Sequence, residues 1–339
     1  MKADPTRDEF PFDDQVRFKP ADDGLHPWAE FPDWVETTWF SFYAPDRALG
    51  GWLYVQVRPN LGTATGGAFV YRPGAHLAWE LPFYGYFQHQ PLPVPVEQLD
   101  LTDVHFRNGV SVKMIEPGMV YDLGYRFRDQ TDFVADLRFE GITPPVPHLN
   151  GAPPFIGSSH YDQHGRVTGT LRLNGEQIEV DCYAVRDRSW GRRPELIGLG
   201  VRRLSYAFGT FGPDDAFLVF CMPPPDDQTS EIEHLSTGYL LRHGKLRRLA
   251  SAERRNVRHA PTGGVETIEV DMTDTDGRAL SVRGTAASRM FLNAGGLCIN
   301  TMLRFESGDA SLGEGWGEDQ DVFSLARFAA MRDAARQQA

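Results

Sequence analysis

The residues best suited to chemistry form one short run, Arg186-Asp187-Arg188-Ser-Trp190-Gly-Arg. A carboxyl such as that of Asp187 serves as a general acid only where an apolar pocket raises its pKa. Arginines at 186 and 188 would oppose this, because a nearby positive charge favours the ionised form. An ionised Asp187 is instead a base or an ion-pair partner, and Trp190 then fills a junction between two domains. The run therefore has two interpretations, an acid/base site and an interdomain clasp.

The residues before this run indicate which side of a strand it faces. In a regular strand, successive side chains point to opposite faces. Asp187 then shares the more polar face with Glu179, Asp181 and Tyr183. A β-bulge at a domain junction would move it to the other face.

A second candidate lies upstream, where Trp79-Glu80-Leu-Pro-Phe-Tyr84-Gly-Tyr86-Phe-Gln-His combines many rings with one carboxylate and one imidazole. Such a run is either core with an edge turn or one wall of an apolar pocket. As a wall, its rings suit a polyene, sterol or aryl ligand, and Glu80 becomes an alternative acid or base. Trp79, Glu80, Tyr84 and Tyr86 are therefore predicted to bind a ligand.

The sequence predicts neither a metal nor a cofactor. His160 and His164 have the spacing of zinc ligands on a helix, but Gly165 and the strand pattern after it argue against a helix there. No third ligand is apparent. Three scattered cysteines lack a Cys-x-x-Cys pair, and no glycine cluster lies between a parallel strand and a helix, as a nucleotide phosphate requires.

Composition restricts the class of partner. The 339 residues carry a formal charge of −12, which argues against nonspecific binding to nucleic acid or to an anionic membrane. No window approaches the roughly 18 apolar residues of a membrane-spanning helix, and the amino terminus lacks the pattern of a secretory signal. We therefore expect a cytoplasmic protein without an integral membrane segment that binds a small molecule.

The elements that must position these residues are strands. Most of the chain alternates with period two between turn dipeptides, and Asn174-Gly175 is the strongest hairpin signal. The number of strands predicts an all-β fold with two antiparallel barrels or sandwiches in tandem. Arginines of a terminal helix face water or a partner, so a homodimer is also considered. The predicted division is a polar extension over 1–24, β domains over 25–188 and 189–320, and a helix over 321–339.

The run from Arg186 to Arg192 resembles the Arg/His-Asp-His-Ser/Asn-Trp-Gly-Pro-Arg motif of a lipocalin-like (calycin) superfamily. That superfamily includes hydroxyneurosporene synthase, the carotenoid 1,2-hydratase, and uncharacterised bacterial two-barrel proteins. The stretches 165–172 and 50–53 add to the resemblance, which covers about residues 20 to 320. It implies two lipocalin-like β-barrels.

The resemblance also implies roles for single residues. In the hydratases, an acidic residue of the motif protonates an isolated alkene, aromatic neighbours stabilise the carbocation, and a positioned water completes the addition. Asp187 stands at the acid position, and His160 is near the place of the family's essential histidine. The sequence departs from the family at Asp162 in place of tryptophan, at Val185 in place of tyrosine, and at Arg188 in place of histidine.

We therefore predict an enzyme that binds an isoprenoid, steroid or aromatic molecule between or within two barrels. Its cofactor-free acid/base chemistry is hydration or dehydration, isomerisation or cyclisation. The alternative is a noncatalytic carrier or sensor, whose cavity would be apolar with polar groups only at the mouth. The predicted catalytic residues are Asp187, His160 and Tyr183, and the predicted ligand-binding residues near them are Trp190, Arg186 and Arg188.

Overall fold

The structure is a computed structural model that describes residues 18–29, 31–148, 158–193, 203–259, 262–293 and 296–338. The chain forms two compact units. Unit 1 comprises Met1–Tyr71 with Leu81–Pro194, and unit 2 comprises Arg72–Glu80 with Glu195–Ala339. Strands make up most of both units, which confirms the predicted all-β class.

Unit 1 is an antiparallel sheet of eleven strands that curls into a half barrel. The strands are hydrogen-bonded in the order β4-β3-β2-β1-β11-β10-β8-β7-β6-β5, and β9 pairs with β10. Because β1 lies beside β11, residues far apart in sequence share one surface. The strands are β1 (Trp34–Ala44), β2 (Leu49–Arg58), β3 (Thr63–Tyr71), β4 (Phe83–Pro91), β5 (Asp103–His105), β6 (Val110–Glu116), β7 (Val120–Tyr125), β8 (Phe133–Gly141), β9 (Val146–Pro147), β10 (Ser158–Leu173) and β11 (Glu176–Arg192).

Unit 2 contains a closed antiparallel barrel of eight strands. Each strand pairs with the next along the chain, and the last pairs with the first, so the described barrel has no open edge. Its elements are β12 (Leu204–Thr210), β13 (Ala216–Met222), β14 (Ile232–Arg242), β15 (Lys245–Arg258), β16 (Val265–Asp274), β17 (Ala279–Asn293), β18 (Leu297–Ser307), β19 (Gly315–Phe323) and the helix α1 (Leu325–Gln338).

Alternation along the strands builds the core of each unit. In unit 1, Phe40, Tyr121 and Phe139 point into the curl, and their ring centroids lie 5.7 to 6.3 Å apart. In unit 2, Phe217 and Phe305 meet edge to face inside the barrel at 5.2 Å. Each such pair contributes about 0.5–1.5 kcal/mol beyond the burial of its area. The apolar positions therefore fix which face of each strand is internal.

The β10–β11 hairpin is the longest element of unit 1, and its turn is the predicted Asn174-Gly175. Both residues have positive φ, 50° and 85°, which Asn and Gly tolerate best. The pairing runs without a bulge from Leu173↔Glu176 to Ser158↔Gly191. Strand β11 thus carries the Asp187 motif, and the predicted boundary at 188/189 lies inside this strand rather than between the two units.

The terminal helix is present but shorter than the predicted segment 321–339, because β19 continues to Phe323. Phe328 and Met331 pack against Phe323 and Leu297, whereas Leu325 is exposed. The helix therefore covers one end of the β18–β19 pair in unit 2.

Candidate acid/base site

The two interpretations of the Asp187 motif separate on opposite faces of β11. Because the pairing has no bulge, residues 185, 187 and 189 point to the outer face of the curled sheet, and 186, 188 and 190 point to the inner face. Within the described ranges, neither Arg186 nor Arg188 forms an ion pair with Asp187. The arginines therefore do not hold its carboxyl in the ionised form by direct contact.

Arg186 is the centre of a buried network on the inner face. Its guanidinium donates to Asp23 at 2.8 Å and to the side-chain oxygen of Gln163 at 2.6 Å. The hydroxyls of Tyr121 and Tyr161 donate to the same Asp23 carboxylate at 2.6 and 2.5 Å. Burial alone would raise the pKa of Asp23, but Arg186 and the two phenols hold it below its usual value. Asp23 is thereby an ionised structural partner.

Arg188 forms a second ion pair on the same face. It lies 3.1 Å from Glu36, which also accepts from the indole N–H of Trp34 at 3.0 Å. The ring of His26 lies 3.2 Å from Glu36 and stacks on Trp190 with centroids 4.0 Å apart. The structure thus places the predicted lining residues Trp190, Arg186 and Arg188 on the face opposite to Asp187.

The interior of the curl leaves little space for a ligand. Asp23, Glu36, Arg186 and Arg188 border an internal gap with room for about one water molecule. In the part of the chain that the structure describes, ion pairs and aromatic rings occupy this interior. The outer face is the better candidate for a site.

On the outer face, one row of paired residues crosses four neighbouring strands. Tyr54 on β2 pairs with Trp39 on β1, Trp39 pairs with Asp187, and Asp187 pairs with Asp162 on β10. Directly paired side chains on one face lie within roughly 4.5–5.5 Å at Cβ. The two carboxyls are therefore close neighbours.

Asp187 has an unusual pKa for a carboxyl. It is half-buried, yet enough protein surrounds the carboxyl for desolvation to raise its pKa to about 6. The charge of Asp162 raises it further, while His160 and Arg193 act in the opposite direction. A carboxyl that titrates near neutral pH can both give and take a proton.

Asp162 is the fixed anion of the row. Its Oδ2 lies 2.5 Å from Nε2 of His148 and 3.1 Å from Nε2 of His160, and all three residues are buried. Although burial opposes ionisation, the two imidazoles hold the pKa of Asp162 well below its usual range. In return Asp162 raises the pKa of His160, against the effect of burial.

The sequence did not reveal His148 or the role of Asp162. His148 follows the two-residue strand β9, and its backbone N–H donates to the carbonyl of His160 at 2.8 Å. This pairing brings the two imidazoles within 5.4 Å, centroid to centroid. A proline-rich stretch without periodicity gives no signal of such a pairing. His164, which has the spacing of a helical zinc ligand relative to His160, is part of β10 and is buried.

One group of side chains in the described residues has donor atoms close enough together to suggest a metal site. It consists of His148, His160 and Asp162. Tetrahedral ligands at about 2.0–2.1 Å from zinc lie about 3.3 Å from each other. The 2.5 Å separation between His148 and Asp162 is shorter than this and suits a hydrogen bond. We therefore describe the cluster as an imidazole–carboxylate–imidazole triad.

An aromatic belt extends along the outer face from Trp39. Consecutive ring centroids from Trp39 to Trp52, Phe69 and Tyr84 lie 5.3, 6.4 and 5.2 Å apart, and Tyr86 lies 5.7 Å from Phe69. The predicted ligand-binding residues Tyr84 and Tyr86 therefore share a face with Asp187. Burial raises the pKa of both phenols, so they stay neutral.

Three other predicted residues are not part of the Asp187 row. Tyr183 is on the same face but four residues along the strand, about 13 Å at 3.3 Å per residue. Trp79 belongs to unit 2 and is 81% exposed. The carboxylate of Glu80 accepts from two backbone N–H groups at 3.0 Å, of His76 and Leu77, which lower its pKa.

Unit 2 holds a further buried cluster that the sequence did not reveal. Inside its barrel, Arg254 donates to both carboxylate oxygens of Asp319 at 2.7 Å and to Glu233 at 2.8 Å. Burial, Asp321 and Glu233 nevertheless raise the pKa of Asp319 to about 6, against the effect of Arg254. The cluster therefore combines a buried ion pair, as on the inner face of unit 1, with a carboxyl of raised pKa, as in the Asp187 row.

Two solved structures share the fold, and a third is less similar. A putative AttH from Nitrosomonas europaea has a TM-score of 0.54 at 16% identity, covering 93% of this chain and 99% of that one. CghA with Sch210972 has a TM-score of 0.53 at 12% identity, covering 86% and 89%. Kievitone hydratase from Nectria haematococca has a TM-score of 0.49 at 12% identity, covering 85% and 89%.

The family model described as "Domain of unknown function (DUF7064)" matches residues 19–322. No curated protein matches the chain in sequence. In the described part of the chain, no helix is both long and apolar enough to cross a membrane.

Proposed function

The chain belongs to the DUF7064 family, and on that premise we propose that it binds a hydrophobic small molecule on the outer face of unit 1 and performs cofactor-free acid/base chemistry there. The observation that carries the proposal is the position of Asp187. It lies between Trp39 and Asp162, away from the arginines that flank it in sequence, with a pKa of about 6. Perturbed carboxyls beside imidazoles are typical of functional sites.

The surroundings of Asp187 supply the parts that proton transfer requires. The pKa of His160 is raised, so its imidazole keeps a proton to higher pH than a free histidine and can give that proton. Asp162 fixes this imidazole through the bond from Nε2. Asp187 takes or returns a second proton. A proton donor and a proton acceptor near neutral pH are what hydration, dehydration and isomerisation need.

The accessible end of the aromatic belt supports a planar or polyene ligand. Trp39, Trp52 and Phe69 are buried, whereas Tyr84 and Tyr86 are half-buried and can contact an isoprenoid, a steroid or an aromatic body. CghA, with which the chain shares its fold, has been solved with Sch210972. A small-molecule ligand in this chain is consistent with that.

The finer assignment to the carotenoid 1,2-hydratase relatives rests on the motif around Asp187. Asp162, in place of the expected tryptophan, puts a carboxylate beside the acid where the hydratases have a ring. That carboxylate raises the pKa of His160, so proton transfer involves an imidazolium and a carboxyl together. Hydration or dehydration, isomerisation and cyclisation are the reactions we propose.

The contents of the cluster favour an enzyme over a carrier. A carrier would present an apolar cavity with polar groups only at its mouth. The outer face instead buries Asp162 beside two imidazoles and raises the pKa of Asp187. Burying these carboxyls lowers the stability of the fold, and a site that only binds a ligand would not need them.

Asp187→Asn tests the proposal, with Asp181→Asn as the matched control. Both carboxyls lie on the outer face of β11, but Asp181 is exposed and pairs with Arg166 at 2.6 Å. Each variant is incubated with terpenoid, steroid and aryl compounds, and binding and turnover are measured separately. We expect Asp187→Asn to fold and bind but to lose turnover by 100-fold or more, about the effect of removing a general acid or base. Turnover that survives Asp187→Asn, or equal losses in both variants, would overturn the proposal.

A further inference from the structure

The outer face contains a phenol that the sequence did not single out. Tyr54 stands in the same row as Asp187, with Trp39 between them, and is half-buried. Burial raises the pKa of its hydroxyl, an effect that Arg193 reduces and Asp187 increases. Tyr54 therefore stays protonated and can donate a hydrogen bond.

One donor points at the Tyr54 oxygen. In the side-chain orientation that also lets Gln56 accept from Arg58, the Gln56 amide nitrogen lies 3.3 Å from the Tyr54 oxygen and donates to it. The Tyr54 O–H is then turned away from Gln56 and is available as a donor. Arg193, just after β11, carries a positive charge that lowers the pKa of this hydroxyl against the effect of burial. A phenol that accepts a hydrogen bond is a stronger donor, because hydrogen bonds in a chain polarise one another.

Arg193 is itself held at this place. Its guanidinium hydrogen-bonds to the Ser189 hydroxyl, which is 2.6 Å from that of Thr37. It therefore adds positive charge beside Tyr54, while Asp187 and Asp162 place negative charge on the other side of Trp39. The row has a proton-accepting end and an anion-stabilising end.

We infer that Tyr54 donates its O–H to a carbonyl oxygen of the ligand, so that the substrate is a ketone or enone with an acidic C–H bond beside its carbonyl. The inference rests on the proposed function and narrows its substrate class. A carboxylate with pKa near 6 is a competent base for such a C–H when a preorganised donor stabilises the developing oxyanion. An isolated alkene offers Tyr54 no oxygen to bind.

The reaction balances without an oxidant or a cofactor. In the forward direction, Asp187 takes the proton from the carbon next to the carbonyl, and the electron pair moves to the carbonyl oxygen, which accepts the Tyr54 hydrogen bond. The enolate then re-forms the carbonyl and expels a β-hydroxyl group as water, using the proton of His160. In reverse, neutral His160 takes a proton from water as it adds to the β-carbon, and protonated Asp187 returns a proton to the α-carbon.

The test uses 2-tetralone, an aromatic ketone with acidic α-protons, and follows their exchange into D₂O by NMR. Here Asp187 removes the α-proton and returns a deuteron. We expect the wild-type protein to accelerate exchange over buffer and Tyr54→Phe to reduce the rate constant about 100-fold, the effect of losing one oxyanion donor. Tyr43→Phe is the control, since it removes a buried hydroxyl from the same face whose bond to Ser41 is long, at 3.4 Å. Thermal unfolding of each variant establishes that it is folded.

Two ligands that differ in one oxygen distinguish the role of Tyr54 from the proposed function. 2-Naphthol carries an oxygen where 2-methylnaphthalene has a methyl group. We expect the wild-type protein to bind 2-naphthol at least 10-fold more tightly and Tyr54→Phe to bind both equally. Equal binding by the wild-type protein would overturn the role of Tyr54 while leaving a hydrophobic site in place. Binding of neither compound, together with no exchange, would count against both. Loss of exchange in Tyr183→Phe but not in Tyr54→Phe would also overturn the inference.

Discussion

Arg186 and Asp187 are neighbours in sequence, yet the two faces of β11 compensate their charges differently. On the inner face, Arg186 and Arg188 each meet one carboxylate, and neutral donors complete the network. On the outer face, two carboxyls lie opposite each other and compete for the charge of His160. Balanced charges stabilise one arrangement of the fold, whereas the imbalance leaves Asp187 with a pKa near neutral. The paired charges of the inner face therefore stabilise the fold, and the outer face is where we propose the chemistry.

The largest effect is expected on the inner face. Arg186→Leu leaves Asp23 buried without its cation, because Arg186 is 1% exposed and its pairing is internal. Breaking a buried pair in this way costs about 3–5 kcal/mol of unfolding free energy. Urea unfolding followed by circular dichroism measures the loss. Adding Asp23→Asn should restore much of it, and a loss below about 1 kcal/mol would show that the inner face does not depend on this pair.

A smaller effect is expected at the imidazole–carboxylate–imidazole triad, where a substitution should change the pKa of His160. In wild-type protein the pKa of His160 is above 6.5, because Asp162 outweighs the burial that lowers it. In Asp162→Asn the carboxylate is gone, so burial should bring the pKa of His160 below 6.5. Histidine NMR across a pH series measures both values. An unchanged pKa in Asp162→Asn would show that another group sets the charge of His160.

The smallest effect on stability is expected at Asp187, where the substitution should stabilise the protein, in contrast to Arg186→Leu. Its pKa is raised from 3.8 to about 6 on folding, so the folded state binds more protons than the unfolded state between these values. The contribution of Asp187 to stability therefore falls as pH rises from about 4 to 6, and Asp187→Asn escapes this loss. We expect the variant to be more stable by about 1–2 kcal/mol at pH 7, since the carboxyl keeps some solvent access, and equally stable near pH 4.

Denaturation at both pH values measures this difference, with Asp181→Asn as the reference. Asp181 is exposed, and Arg166 lowers its pKa, so no gain at neutral pH is expected there. A difference between Asp187→Asn and wild type that is the same at both pH values would contradict the raised pKa.

Local pattern was enough to predict the hairpin and the side of the strand on which Asp187 lies. The Asn174-Gly175 turn needs only positive φ, and alternation over Glu176–Arg192 holds because no bulge interrupts the pairing. The class of fold followed from the same periodicity. These features depend on interactions between residues close in sequence.

The partners of the motif could not be predicted, because long-range pairing brings them together. Asp23 reaches Arg186 from a segment predicted to be a polar extension, and Tyr54 reaches the Asp187 row only through the register of β1 with β2 and β11. His148 is placed by the two-residue strand β9. Neither the periodicity nor the residue spacing within one strand indicates which strands become neighbours in the sheet.

The uninterrupted pairing of β10 with β11 also determines which length changes the site tolerates. One residue inserted between Asp181 and Arg186 would exchange the two faces for everything after it, turning the arginines outward and Asp187 inward. Two inserted residues would restore the faces but shift the pairing by two residues, so that Asp187 would lie opposite His160. Insertions at Asn174-Gly175 would lengthen the turn and leave both faces as they are. Natural variation in the length of this hairpin should therefore concentrate at its turn. Insertions or deletions of one residue near the Asp187 motif should not occur among related sequences.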